Sequence, residues 1–194
     1  QEGNFLLLIH SNTTDTSTVF VDSSNYNRTI SRLGCYHSTT QAKFGASSIY
    51  FSGVDTSLLV LDVPAFEFQM LPFTIDMWVR PTALSGAHGL ITTMRNSVTP
   101  RIGLYLCMDT INLRVKFGDI PSYDTTVDLA VNVWHHVALV GDTNYLYVFL
   151  NGVLRFQTAR VDIPINSEDL AIGRLFSDMM YYYFIGYIDE IAVR

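Results

Sequence analysis

Lysine and glutamate are scarce in this chain of 194 residues. It has two lysines against ten arginines, and four glutamates against fourteen aspartates. Lysine and glutamate are typical of exposed helix surfaces, whereas aspartate is typical of turns. Charged residues make up 15% of the chain and apolar residues 48%, which excludes intrinsic disorder because disordered chains combine high charge with low hydrophobicity. The composition therefore disfavours a helical or α/β fold.

Runs of basic residues and long apolar runs are also absent. With a formal net charge of −6, the chain lacks the clustered Lys and Arg that a nucleic-acid surface needs. The aliphatic start Phe5–Ile9 is far shorter than the roughly 20 apolar residues that cross a bilayer. We therefore predict neither a nucleic-acid partner nor membrane insertion.

Cysteine is limited to Cys35 and Cys107. Two cysteines in a chain of this size do not make a disulfide framework. Cys107 lies in the apolar stretch Leu104–Met108, which predicts a buried core thiol. We expect both thiols to be free, with a single bridge between them as the alternative.

What the chain has in abundance is aromatic residues and strand signals. Eleven tyrosines and twelve phenylalanines favour β-structure. The segment Phe73–Val79 alternates apolar and polar residues, as a strand buried on one face does. Asn151-Gly152 between two apolar runs predicts a type I′ hairpin. A second hairpin is predicted from Ile102–Met108 to Ile111–Phe117, and a single helical turn after Pro64. In total we predict an all-β chain of twelve to fourteen strands.

Six motifs of the chain, in order, resemble those of laminin-G-like, concanavalin-A-like jelly-roll domains. They are Leu6–His10 with Phe20–Ser24, Lys43–Gly53, Phe73–Pro81, Trp134–Val140, Leu146–Val153, and Ile172–Arg174 with Gly186–Ile191. The resemblance implies one domain over residues 1–194, folded as a two-sheet antiparallel jelly-roll sandwich. It also implies a binding module, often for glycans, of the kind found in bacterial surface and phage virion proteins.

Catalysis is not expected from the acidic residues. Glycosidases of this fold carry acids that alternate along one strand, which places them on one face. Asp189 and Glu190 are adjacent, and adjacent strand residues point to opposite faces. Asp76 has no acidic neighbour two residues away. His136 is interpreted as a structural histidine bonded within the sheet.

One structural calcium ion is a further expectation from the resemblance. The first and last strands of such folds lie side by side, so Asp22 and Asp189 can meet and offer the oxygen ligands that Ca²⁺ prefers. Many relatives carry Asp where this chain has Ser11. The alternative is that Asp22 caps its own turn.

Glycan binding needs aromatic faces beside planar polar side chains in a shallow site. Three loops, 95–101, 119–124 and 174–183, offer such residues. The candidates are Arg95, Asn96, Arg101, Tyr123, Arg174, Asp178, Tyr181 and Tyr182. Two alternatives for the Tyr181–Tyr183 run are the start of a core strand and a subunit interface.

We therefore predict a non-catalytic module, extracellular or on a virion surface, that recognises cell-surface carbohydrate. The first alternative is a structural phage component, such as a capsid decoration, fibre or tail protein, that contacts other virion or surface proteins. A glycan-active enzyme is the third hypothesis. A homo-oligomer is compatible with each of them.

Overall fold

A computed structural model describes residues 4–61, 64–66, 68, 72–93, 104–109, 112–117, 123–160, 169–177 and 180–194. These residues form seventeen strands and one 3-10 turn at Pro64–Phe66. The strands are β1 (Leu7–Ile9), β2 (Ile30–Leu33), β3 (Tyr36–Ser38), β4 (Ser48–Ser52), β5 (Ser57–Val60), β6 (Phe73–Pro81), β7 (His88–Thr92), β8 (Leu104–Met108), β9 (Asn112–Phe117), β10 (Tyr123–Thr126), β11 (His135–Gly141), β12 (Tyr145–Leu150), β13 (Val153–Ala159), β14 (Leu170–Ile172), β15 (Arg174–Ser177), β16 (Met180–Tyr183) and β17 (Ile185–Val193).

Two antiparallel sheets carry most of these strands. The first sheet has the order β13-β12-β11-β6-β17-β4-β3, and β1 also pairs with β17. The second sheet has the order β10-β9-β8-β7-β14-β5-β2. Strands β15 and β16 form a separate hairpin. The predicted two-sheet antiparallel jelly-roll sandwich is confirmed, and so is the pairing of the first strand with the last.

Strand β6 shows how the sequence pattern produces the core. Its residues alternate strictly between buried and half-buried, because successive side chains point to opposite faces. Phe73, Ile75 and Met77 join one hydrophobic cluster with Leu90 and Leu104 of the second sheet. The other face of β6, with Asp76 and Trp78, is turned away from the second sheet and forms part of the molecule's surface.

The two predicted hairpins are confirmed. Asn151 and Gly152 have φ angles of 52° and 77°, the left-handed values that a type I′ turn requires. Strands β8 and β9 pair from Leu104 with Phe117 to Met108 with Leu113. The structure has more strands than predicted, because strands as short as β2 and β3 show no clear alternation in the sequence. The stretch 174–183, expected as a loop, contains the paired strands β15 and β16.

Both cysteines are free and buried, as predicted. Burial raises the pKa of each thiol to about 12, so neither is a reactive thiolate at neutral pH. Among the described residues, no helix has the length and apolar character needed to cross a membrane.

Candidate binding surfaces

The sequence-predicted site residues divide into described and undescribed groups. Arg95, Asn96, Arg101 and Asp178 lie outside the described residues. Tyr123 begins strand β10 and pairs with Val115 through the backbone.

The outward side of the β15–β16 hairpin is an aromatic surface, here called the hairpin surface. It consists of Arg174, Phe176, Tyr181 and Tyr183, which alternate along the two paired strands with the residues of the inward side. The ring centroids of Phe176 and Tyr181 are 4.6 Å apart, and those of Tyr181 and Tyr183 are 5.7 Å apart. The Arg174 guanidinium lies 5.2 Å from the centre of the Tyr181 ring. Tyr181 is 50% exposed, so its ring is open to a ligand.

The inward side of the hairpin packs on the second sheet. Leu175 and Tyr182 contact Tyr105 and Cys107 in a small second core. Gly89 of β7 makes this approach possible, because a Cβ at that position would lie 2.2 Å from the backbone of Arg174 and Leu175. Tyr182 therefore serves packing and is not on the hairpin surface, whereas Tyr181 and Arg174 are brought together there.

Tyr183 is held in place by a hydrogen bond. Its hydroxyl donates to Asp55 Oδ1 at 3.1 Å. Burial and this bond raise the Tyr183 pKa above its ordinary value, so the phenol stays neutral at physiological pH. A fixed, neutral ring at one end of the surface suits stacking against an uncharged ligand.

Asp22 anchors the loop that follows β1. Its Oδ1 accepts from the backbone N–H groups of Leu8 and Ser24, at 3.0 and 2.9 Å. Its Oδ2 accepts from the Ser24 hydroxyl and the Arg28 N–H, at 2.8 and 2.9 Å. Burial opposes its charge, but these bonds lower the Asp22 pKa below its ordinary value. The carboxylate thus has four donors for its roughly four lone-pair sites.

Asp189 is fully buried and anchors a different loop. Its Oδ2 accepts from the N–H groups of Lys43 and Phe44, at 3.0 and 3.1 Å, and its Oδ1 accepts from the N–H of Glu190 at 3.0 Å. The Lys43–Phe44 segment covers Trp78, with the Lys43 ammonium 3.9 Å from a Trp78 ring centre. Trp78 thus packs beneath this segment.

The hydrogen bonds of Asp22 and Asp189 do not fit a shared calcium ion. The Asp22 carboxylate already accepts four hydrogen bonds, and the Asp189 carboxylate is directed at backbone N–H groups. The donors to Asp22 lie around the loop after β1, whereas those to Asp189 include the Lys43–Phe44 segment. Among the described residues, no group of three or more His, Cys, Asp or Glu side chains is placed to hold a metal. Calcium binding stays a prediction that this geometry does not favour.

We expect Asp22→Asn to lower the free energy of unfolding by about 2 kcal/mol, because the amide nitrogen cannot accept from Ser24 and Arg28. The loss should be the same with and without calcium chloride in a thermal melt. A calcium-dependent rise in the wild-type Tm that disappears in the variant would instead establish a metal site.

A groove lies on the surface of the first sheet, between β1, β17 and β6. Its volume is about 380 Å³. It is lined by Phe5, Leu8, His10, Asp76, Glu190, Ala192 and Arg194. Glu190 Oε2 is 2.7 Å from His10 Nδ1, and Arg194 forms an ion pair with Asp76. Burial opposes the charge of Asp76, but bonds from His136 and Arg194 lower its pKa below the ordinary value.

The groove was not foreseen in the sequence because a β-bulge creates it. The pairing of β17 with β6 shifts register between Asp189 and Ala192, and Glu190 takes a left-handed φ of 51°. The alternation of faces is thereby broken, so Glu190 lines the same groove as Asp76. Asp76 has no acidic residue two positions away along its own strand, and the acidic residue that shares its groove comes from β17. No glycine or turn signal marks this bulge in the sequence.

The histidines of β11 have structural contacts, as interpreted from the sequence. His136 packs against Trp78 with the two rings tilted and their centroids 5.1 Å apart, and its Nε2 lies 3.5 Å from Asp76 Oδ1. His135 is buried on the other face, and its Nε2 bonds to the backbone of Ala130. The two rings therefore do not form a metal pair.

Residues 52–194 match the sequence profile of a family described as the concanavalin A-like lectin/glucanases superfamily. No curated protein sequence matches the chain. The structure is similar to domain 4 of AbnA, an extracellular arabinanase of Geobacillus stearothermophilus, solved in complex with arabinotriose. The TM-score is 0.73 at 17% identity, over 100% of this chain and 93% of that domain.

Structures of botulinum neurotoxins are also similar. The botulinum neurotoxin serotype G binding domain gives a TM-score of 0.72 at 14% identity, over 98% of this chain and 47% of that one. A structure of botulinum neurotoxin type C, a toxin whose cell entry depends on interaction with two ganglioside molecules, is also similar. Its TM-score is 0.69 at 15% identity, over 98% of this chain and 47% of that one. This chain spans about half the length of these toxin domains. At identities this low, the structural similarity shows a shared fold.

Proposed function

Because this chain belongs to the concanavalin A-like lectin/glucanases superfamily, we propose that it is a non-catalytic module that binds carbohydrate on its hairpin surface. The observation that carries the proposal is the row of ring contacts from Phe176 through the exposed Tyr181 to Tyr183, with Arg174 at its side. Aromatic faces take the apolar C–H side of a sugar ring, and a guanidinium donates to its hydroxyls.

The rigidity of the hairpin supports this assignment. Leu175 and Tyr182 fix β15 and β16 against the second sheet, and the bond between Tyr183 and Asp55 fixes one ring. A platform that is ordered before the ligand arrives loses little conformational entropy on binding. The similarity to an arabinanase domain solved with arabinotriose, and to toxin binding domains, supports a carbohydrate as the ligand class.

The absence of catalysis is part of the proposal. The groove carboxylate Asp76 is tied to Arg194 and His136, which lower its pKa. A general acid in glycoside hydrolysis needs a raised pKa instead. Release of reducing sugar from any polysaccharide by the purified chain would contradict this part of the proposal.

An extracellular or virion-surface location follows from this ligand class, since cell-surface glycans are met outside the cell. The second candidate function is a structural virion component that works through protein contacts. The exposed Met180 and Tyr181 favour it, because Met, Tyr and Arg are enriched in interface cores. A stable oligomer in solution that binds no glycan would favour this candidate over the first.

The test is glycan-array binding of the wild type and Tyr181→Ala. We expect binding to be about thirtyfold weaker in the variant, because loss of an aromatic anchor costs about 2 kcal/mol. Tyr181→Phe keeps the ring and should retain most of the affinity. Tyr145, which is 42% exposed on the first sheet, provides a matched control, since Tyr145→Ala should bind as the wild type does. Equal binding by all four proteins would overturn the hairpin surface as the site.

A further inference from the structure

We propose that the groove of the first sheet is a second binding site, distinct from the hairpin surface, and that it takes an uncharged polyhydroxyl ligand, a sugar residue. The groove is built from β1, β6 and β17 of the first sheet, whereas the hairpin that carries the hairpin surface packs on the second sheet. None of the groove residues belongs to the hairpin surface, so binding at one site can be absent while binding at the other is present.

The polar side chains of the groove are arranged in pairs. Arg194 is paired with Asp76, and His10 lies 2.7 Å from Glu190. All four side chains keep part of their surface exposed, with Arg194 and His10 more open than their carboxylate partners. The groove therefore offers hydrogen-bond donors and acceptors side by side.

This pairing selects against charged ligands. A phosphate attracted by Arg194 would meet the carboxylates of Asp76 and Glu190, and an ammonium attracted by those carboxylates would meet Arg194. A charged ligand that binds Arg194 or Asp76 therefore has to break the ion pair between them. A hydroxyl group both donates and accepts, so vicinal hydroxyls can bond to a carboxylate and to a neighbouring guanidinium while this ion pair stays intact.

The floor of the groove supplies the apolar contact that a sugar ring also needs. Phe5, Leu8 and Ala192 line it, and the Arg194 guanidinium lies 4.5 Å from the centre of the Phe5 ring. The volume of about 380 Å³ lies at the small end of the range for ligand sites, roughly 300 to 1,000 Å³. It suits a ligand of one or two sugar units.

The backbone at Glu190 is an independent observation that points to this groove. A non-glycine residue at φ 51° costs energy, and here the strained residue carries the side chain that faces Asp76. Without the bulge after Asp189, the alternation of the strand would turn Glu190 away from this face. Strain of this kind is concentrated at binding and catalytic sites in proteins.

The proposal can be tested by titrating ¹⁵N-labelled chain and following its amide resonances. The probes are arabinotriose and the methyl glycosides of glucose, galactose, mannose and arabinose. With at least one probe we expect saturable shifts at the amides of Leu8, Glu190 and Ala192. These shifts should persist in Tyr181→Ala, because that residue belongs to the hairpin surface.

Glu190→Gln tests the role of the carboxylate. It preserves the size of the side chain but removes the charge that pairs with His10, so we expect the groove affinity to fall about tenfold. Asp76→Asn should have a similar effect through Arg194. The matched control is Asp124→Asn, which makes the same charge change at the exposed pair with Arg114 on β9 and β10 and should leave the groove affinity unchanged.

Three outcomes overturn the proposal. One is the absence of shifts at the groove amides with all five probes. Another is an undiminished groove affinity in both Glu190→Gln and Asp76→Asn. The third is that inorganic phosphate or methylammonium shifts the groove amides while no sugar does. Sugar-dependent shifts confined to the hairpin surface and lost in Tyr181→Ala would leave the proposed function standing and remove only the second site.

Discussion

Replacing Asp189 by alanine should lower the free energy of unfolding by at least about 3 kcal/mol. Three backbone N–H groups, those of Lys43, Phe44 and Glu190, lose their acceptor, and each such donor left without a partner costs about 1 to 3 kcal/mol. In a chain of this size the Tm should fall by about 10 °C. Released Lys43 and Phe44 would also uncover Trp78, so native-state tryptophan fluorescence should shift to longer wavelength.

The control for this variant is Asp15→Ala. Asp15 accepts one backbone N–H, that of Thr39, in an exposed loop, so its loss should cost no more than about 1 kcal/mol. If the two variants melt at the same temperature, Asp189 does not anchor the Lys43–Phe44 segment.

The stability should also depend on pH through Asp189. Burial outweighs its three N–H donors and raises its pKa from 3.8 to about 6. The folded state therefore binds this proton more tightly than the unfolded state does. The resulting stability is fully present below about pH 4 and is lost as the pH rises through 6, a difference of about 3 kcal/mol. In Asp189→Asn this component should vanish from the pH profile of the Tm.

Gly89→Ala should detach the β15–β16 hairpin from the second sheet. The new Cβ would lie 2.2 Å from the backbone of Arg174 and Leu175, and backbone cannot rotate away as a side chain can. We expect a loss of about 3 kcal/mol, because Leu175 and Tyr182 leave their contacts with Tyr105 and Cys107. The proposed glycan binding at Tyr181 should be lost together with stability.

Gly86→Ala is the control for Gly89→Ala. Nothing lies within 4 Å of a Cβ at Gly86, although its φ is +85°, so that variant measures only the backbone cost of about 1 kcal/mol. Unchanged amide resonances for Leu175 and Tyr182 in Gly89→Ala would show that the close approach is not needed for the fold.

The main strands could be predicted because apolar and polar residues alternate along each of them within a few positions. Strand β6 is buried on every second residue, as Phe73–Val79 indicates, and the Asn151-Gly152 turn fixes the register of its own hairpin. Short strands such as β2 lack this signal. Their pairing depends on neighbours distant in the chain, which local propensity does not report.

The candidate surfaces could be predicted only in part. Tyr181 and Tyr182 are neighbours of one residue type, and nothing local indicates that Tyr181 is exposed while Tyr182 packs on Tyr105. The side that each ring takes follows from how the hairpin lies on the second sheet. That placement depends on Gly89, which lies far away in the sequence.

The sequence by itself determined that this protein is an all-β chain with little charge, whose aspartates belong to turns, as Asp22 does. These properties follow from alternation, turn chemistry and composition, all of which act over a few residues. The tertiary structure decided which side chains share a surface. It brought Glu190 beside Asp76 through a bulge and Arg174 beside Tyr181 through a hairpin register. Binding chemistry depends on distances between side chains of different strands, and those distances are set by the packing of whole sheets.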